Sequence, residues 1–181
     1  MALTASNVRV AVTGVVYIAP TSATAPTSSS SATTGFTDLG YVGESGVSES
    51  RSLTSTDIKA WQNAATVRTV ITDGKVTYSL TLIESSKAVI EAFYGAVTTG
   101  ATATDGKIAV IPTATGGQKS FIIDVVDGAE KKRIYIATGE ITEVGDVTYA
   151  SGEPIGYPIT ITAYPTATGE SVSFWSTALK S

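Results

Sequence analysis

The chain has 181 residues and a formal net charge of −4, a length that suits one domain able to bury about 70% of its unfolded surface without covalent staples. It contains no Cys and no His, which excludes disulfide frameworks, zinc–thiolate sites, cysteine nucleophiles and Ser-His-Asp catalysis. The acidic balance has the wrong sign for gripping phosphate backbones, and no apolar run approaches the ~18 residues of a membrane helix.

Thr and Ser number 29 and 20, over a quarter of the chain. Interleaved with Val and Ile, that much Thr points to strands, because β-branched side chains fit a pleated surface. Asn7 to Ala19 reads as a first strand, with Val8, Val10 and Val12 on one face. Pro20 to Gly35 has no periodicity and reads as a long loop. A second strand is expected at Leu39 to Val42. Glu49 to Gln62 reads as a second long loop carrying Ile58 and Trp61 near its end. Ala65–Ile71 and Lys75–Ile83 are expected to pair as a hairpin across Asp73-Gly74.

Val76, Tyr78, Leu80 and Leu82 then alternate with hydroxyl residues, as in a half-buried strand. The period changes at Ser85-Ser86, a hydroxyl N-cap. Val89, Ile90, Phe93 and Tyr94 recur at helical spacing and Gly95 stands where a left-handed terminus favours glycine, so one short helix is expected over about 85–95. A short strand is expected at Ile108–Ile111. A hairpin follows, Ser120–Val126 and Lys132–Thr138 around Asp127-Gly128, then strands at Ile141–Tyr149 and Tyr157–Tyr164 and a docking strand near Val172–Trp175. Strands separated by short turns, with one helix, predict a mainly β single domain of the sandwich or barrel type.

No segment has the spacing of a catalytic, cofactor or metal site. Gly35, Gly40, Gly43 and Gly46 lack the lysine and following helix of a phosphate loop and read as turn or bulge glycines. Asp124, Asp127, Glu140, Glu143 and Asp146 match no calcium loop and read as solvated edge charges. Lys131-Lys132-Arg133 reads as a charged hairpin edge. Trp61 is either a core residue or an anchor for a partner. Burying its indole is worth at most about 4–6 kcal/mol, whereas fixing a dozen loop residues costs on the order of 12 kcal/mol. One tryptophan cannot order the Glu49–Gln62 loop, and Pro20–Gly35 has no large apolar residue at all. Either other parts of the monomer clamp these loops or a neighbouring subunit does, and two such loops on a scaffold without catalytic residues suggest a protein whose loops settle against other copies.

The succession Phe36-Thr37-Asp38-Leu39-Gly40-Tyr41-Val42-Gly43-Glu44-Ser45-Gly46-Val47-Ser48-Glu49 resembles the major tail (tail tube) proteins of long-tailed, siphovirus-type bacteriophages. The resemblance continues through Ala60-Trp61-Gln62, Val67-Arg68-Thr69, Tyr78 to Glu84 and Phe93-Tyr94-Gly95, and more loosely through Gly139 to Asp146. It implies a β-sandwich flanked by a helix, assembled as hexameric rings stacked into a tube through which double-stranded DNA passes without specific binding. The loop after the second strand and the N-terminal arm would bridge rings.

On this resemblance the subunit-contact candidates are Phe36, Leu39, Tyr41, Arg51, Ile58 and Trp61. The lumen-facing acidic candidates are Glu140, Glu143 and Asp146. The implied partners are the chain itself, a tape-measure protein and the tail terminator and distal tail proteins, with no cofactor, no membrane and no enzymatic activity. The implied location is the virion tail, after synthesis in the host bacterial cytoplasm. Many relatives append an immunoglobulin-like domain, for which this chain stops too early. The competing readings are the tube protein of a contractile or secretion-type injection system and a carbohydrate-binding β-sandwich module using Trp61 and Trp175.

Overall fold

The computed structural model describes residues 8–102 and 104–179. The strands are β1 (Thr13–Pro20), β2 (Thr37–Asp38), β3 (Val42–Lys59) and β4 (Thr66–Leu82), then β5 (Lys119–Asp127), β6 (Glu130–Val144), β7 (Tyr157–Ala163) and β8 (Ser173–Ser176). One helix, α1 (Lys87–Tyr94), lies between β4 and β5. All eight strands belong to one antiparallel sheet in the order β2-β1-β5-β6-β7-β4-β3, with β8 paired to β6. The mainly β expectation stands as a single sheet.

Alternation places Tyr78, Leu80 and Leu82 of β4, Phe121 and Ile123 of β5, and Ile159 and Ile161 of β7 on one face. There they form a core with Val16, Leu39, Ile134, Ile136 and Ile141. The helix covers part of it with Val89 and Phe93, one turn apart, and Phe93 meets Tyr157 edge-on at 5.3 Å. Its ends follow the capping residues. The Ser86 hydroxyl accepts the Val89 N–H, and Gly95 turns left-handed with φ 60°. A β-carbon on Gly95 would stand 2.5 Å from the Gly116 nitrogen, so close approach and backbone conformation both demand glycine there.

Several expectations are corrected. The Glu49–Gln62 segment is not a loop. Residues 49–59 complete β3, which pairs with β4 from Val42↔Leu82 to Lys59↔Thr66. The hairpin does not turn at Asp73-Gly74 either. Those residues face Thr54 and Leu53 inside β4, and the register shift beside them leaves Thr72 as an extra residue. The true turn is at residues 60–65, where the Ala60 N–H donates to the Ala65 carbonyl, the Asn63 carboxamide accepts from the Ala65 N–H, and Ala64 takes φ 53°. Composition hid the strand because Ser and Thr fill positions that no apolar face requires.

The other departures are smaller. The first strand begins at Thr13; Asn7 lies outside the described residues, and Val8, Val10 and Val12 are exposed. Leu39 and Tyr41 are not in a strand, because Gly40 takes φ 73° and its N–H is held by the Asp38 carboxylate at 2.8 Å. Residues 108–111 form no strand, and only a single bridge joins Thr99 to Lys107. The strand expected from Ile141 continues β6 without a break and ends at Val144.

Pro20–Gly35 is irregular, as expected, but it is fastened from within. Arg133, only 2% exposed, donates from Nη1 to the Ser31 carbonyl at 2.6 Å and the Ser31 hydroxyl at 3.2 Å. Its Nε and Nη2 bind Asp124 side by side at 2.7 Å each. The run Lys131-Lys132-Arg133 is therefore not simply an edge charge. Its third member is a buried clamp that fastens this loop within the subunit.

Candidate functional site: the projecting hairpin and the hydroxyl face

The β3–β4 hairpin divides in two. Its root is built into the sheet, since β4 pairs with β7 from Val76↔Ala163 to Leu82↔Tyr157. Glu49 stands opposite fully buried Tyr78 and 3.9 Å from Lys132. Burial, and then the Glu49 carboxylate, push the Tyr78 phenol well above its usual range, so it stays a neutral donor. Beyond Val76, among the described residues, β4 pairs with β3 alone. Residues 52–75 thus form a two-stranded arm, and its β3 strand runs about 25 Å past the sheet at ~3.3 Å per residue.

That arm exposes apolar side chains it has no means of covering. Leu53, Ile58, Val67 and Ile71 are exposed, and Trp61 at the tip is 97% exposed. Leu53 pairs with Gly74 and Ser55 with Ile71, which puts Leu53 and Ile71 on one face. The Thr69 hydroxyl donates to Asp57 at 2.7 Å, a cross-strand bond of the same face. An isolated two-stranded hairpin is marginal in water. Exposed apolar residues and open strand edges are features that soluble chains ordinarily cover.

A second feature is the outward face of β6, β7, β4 and β3. The register groups Ser48 and Ser50 with Thr77 and Ser79, then with Thr160 and Thr162, then with Glu140 and Glu143. Hydroxyls bond across it, Ser79 to Thr160 at 3.0 Å and Thr142 to Thr162 at 2.7 Å. Glu140 accepts from the Tyr164 hydroxyl at 3.3 Å and from Thr115. A shallow groove of about 400 Å³ crosses it, lined by Ser48, Ser79, Thr81, Glu143 and Thr160. From residue 48 to 50, 77 to 81, 140 to 144 and 158 to 162 there is no Lys or Arg.

The candidates from sequence thus fall into separate places. Arg51 and Ile58 lie on the hairpin and Trp61 at its tip, while Tyr41 is 74% exposed at the base of β3. Phe36 is half-buried against Tyr135, ring centroids 6.5 Å apart. Leu39 is fully buried in the chain's own core and has no surface to offer another subunit. Glu140 and Glu143 share the hydroxyl face, whereas Asp146 lies beyond β6 in an irregular, exposed stretch. The Asp124–Arg133 pair was missed, although a two-residue hairpin around Gly128 places those residues opposite each other.

Among the described residues no group of three or more acidic side chains is arranged to hold a metal, and no helix is long and apolar enough to cross a membrane. One antiparallel sheet, an arm paired only with itself among the described residues and a face of hydroxyls are the features that distinguish this β protein. The chain matches the family of phage tail tube proteins over residues 1–180, and it belongs to that family. It is a structural component of the virion tail that assembles with itself into a tube. No curated protein matches it.

Proposed function

We propose that the chain polymerises as stacked hexameric rings into the tail tube and that the tube conducts double-stranded DNA during ejection without catalysis. The observation that carries this reading is the arm. Residues 52–75 leave Trp61, Leu53 and Ile71 in water with no partner among the described residues, and a neighbouring subunit removes that cost. The tube's ends would be completed by terminator and distal tail proteins, and its length set by a tape-measure protein.

The hydroxyl face supports a lumen role. It presents Ser and Thr with Glu140 and Glu143, and the nearest cation in register is Lys75, one pair beyond Thr77 at the arm's root. A wall without Lys or Arg releases no counterions from DNA, so passage is not slowed by tight binding. Its two carboxylates repel phosphates over roughly one Debye length, about 8 Å in physiological salt. Around a ring, the free outer edge of β3 and the part of β6 beyond Gly139, which β5 does not reach, offer main-chain donors and acceptors for a continuous wall.

Electron microscopy of the purified protein at rising concentration tests the reading. Rings or tubes are expected. Particles that stay monomeric at all concentrations, with or without tail initiator proteins, would refute it.

A further inference from the structure

A groove of about 630 Å³ runs between residues 11–16, at the start of β1, and residues 38–47, at the start of β3. Its apolar wall includes Val12, Val16, Tyr41, Val42 and Val47, and its charged lining is Asp38, Glu44, Glu84 and Asp124, with no Lys or Arg. Asp124 is neutralised by Arg133 and Lys131. The other three carboxylates form no ion pair among the described residues. Two are held in place by main chain: Asp38 accepts the Gly40 N–H at 2.8 Å and Glu84 the Tyr41 N–H at 3.0 Å. Among the described residues both strand edges beside the groove are largely open: β1 is met on that side only at Tyr17 and Ile18 by β2 and at Val16, whose carbonyl accepts the Leu39 N–H, and the outer edge of β3 has no strand against it.

The arm has the opposite character. Residues 52–75 hold Lys59, Arg68 and Lys75 against Asp57 and Asp73, net +1 in a chain of −4, so the rest of the chain carries −5, and Arg51 adds a further cation at the arm's root. Among the described residues none of these four cations is in an ion pair, whereas most of the other Lys and Arg residues are. We infer that the groove between β1 and β3 receives the hairpin arm of a second copy, carboxylates against arm cations and the Tyr41–Val47 wall against Leu53 and Ile71. This rests on the reading of the arm as a subunit contact.

A second copy is required by geometry. β3 bulges at residues 43–46, where the register shifts between Val42↔Leu82 and Val47↔Leu80 and Gly46 takes φ 66°, but from Val47 onward its ladder with β4 runs out to Lys59, so the arm is carried away from its own groove. The other large cavity, about 550 Å³ beside α1, is rimmed by Lys87 and Lys119 as well as Glu91, and its cations disfavour a basic arm. Because arm and groove are different surfaces, the contact is heterologous and propagates instead of closing a pair. Whether it closes a ring or runs on along the tube is set by the rotation between copies.

The test is a charge exchange read as the critical concentration for assembly by light scattering. Glu44→Lys combined with Asp38→Asn, which keeps an acceptor for Gly40, should raise it at least about tenfold, as should Arg51→Glu with Arg68→Glu. Combining the groove and arm changes should bring it back to within about threefold of the natural chain. Wild-type assembly of the groove variant, or two weakened variants without rescue on combination, would overturn the assignment. So would rescue of the arm variant by Lys119→Glu, which would place the contact beside α1. Replacing residues 53–72 by a tight turn separates the two claims. If that deletion assembles normally, the arm reading itself fails; if it does not assemble and the exchange fails to rescue, only the groove is wrong.

Discussion

Arg133→Ala is the most searching change within a single subunit. The side chain holds the Asp124 carboxylate by two bonds of 2.7 Å and the Ser31 carbonyl by one of 2.6 Å, with both charged partners buried. That hydrogen bonding to Asp124 is the first cause raising the guanidinium's already high pKa, so the group is charged at every accessible pH. Breaking a buried pair costs about 3–5 kcal/mol, because the survivor is left without its counter-charge. Lys131, 3.0 Å from Asp124, remains and brings the expected loss to the lower end, about 3 kcal/mol. With a urea slope of about 2 kcal/mol/M the midpoint should fall by about 1.5 M. Hydrogen exchange in residues 21–36 should accelerate at the same time, since the loop's carbonyls lose their donor. Arg133→Met with Asp124→Leu should recover much of the stability but not the loop protection. A loss under about 1 kcal/mol, set against that 3 kcal/mol expectation, with unchanged loop exchange would refute the clamp.

Trp61→Ala should raise the critical concentration for assembly about thirtyfold, the 2 kcal/mol of an interface anchor, and leave the urea midpoint of the monomer unchanged. Gly95→Ala should destabilise the monomer by more than 1 kcal/mol, the usual scale where a non-glycine residue is forced left-handed, and the close Gly116 nitrogen adds to it; thermal unfolding reads the change. The Glu91 carboxyl is held below its ordinary pKa, first by the Thr98 N–H at 2.6 Å. Its folded pKa lies below the unfolded one, so its contribution is complete above the unfolded value and is lost as pH falls through the folded value. Glu91→Gln should therefore flatten that part of the stability-against-pH curve, measured by urea titration at several acidic pH values.

Where an element's pattern is set by its own neighbours, the residues announced it. The helix was legible because Ser86, Val89, Phe93 and Gly95 each answer a local requirement. The Asp127-Gly128 hairpin was legible for the same reason. The arm was not, because Ser50 to Thr56 have neither a buried face nor a turn signal, and only pairing with β4 makes them a strand. Asp73-Gly74 misled because a bulge and a tight turn draw on the same residues. The clamp at Arg133 was within reach of cross-strand counting. That it also binds Ser31, 102 positions away, was not. Exposure of Trp61 and Tyr41 was equally beyond composition, since aromatics suit cores and contacts alike.

The most direct measurement compares hydrogen exchange of the arm amides, residues 52–59 and 66–75, in dilute monomer and in assembled tube. Slow exchange in the tube and fast exchange in the monomer are expected, with residues 21–36 protected about equally in both. Equal protection of the arm in the two states would contradict its dependence on a neighbouring subunit.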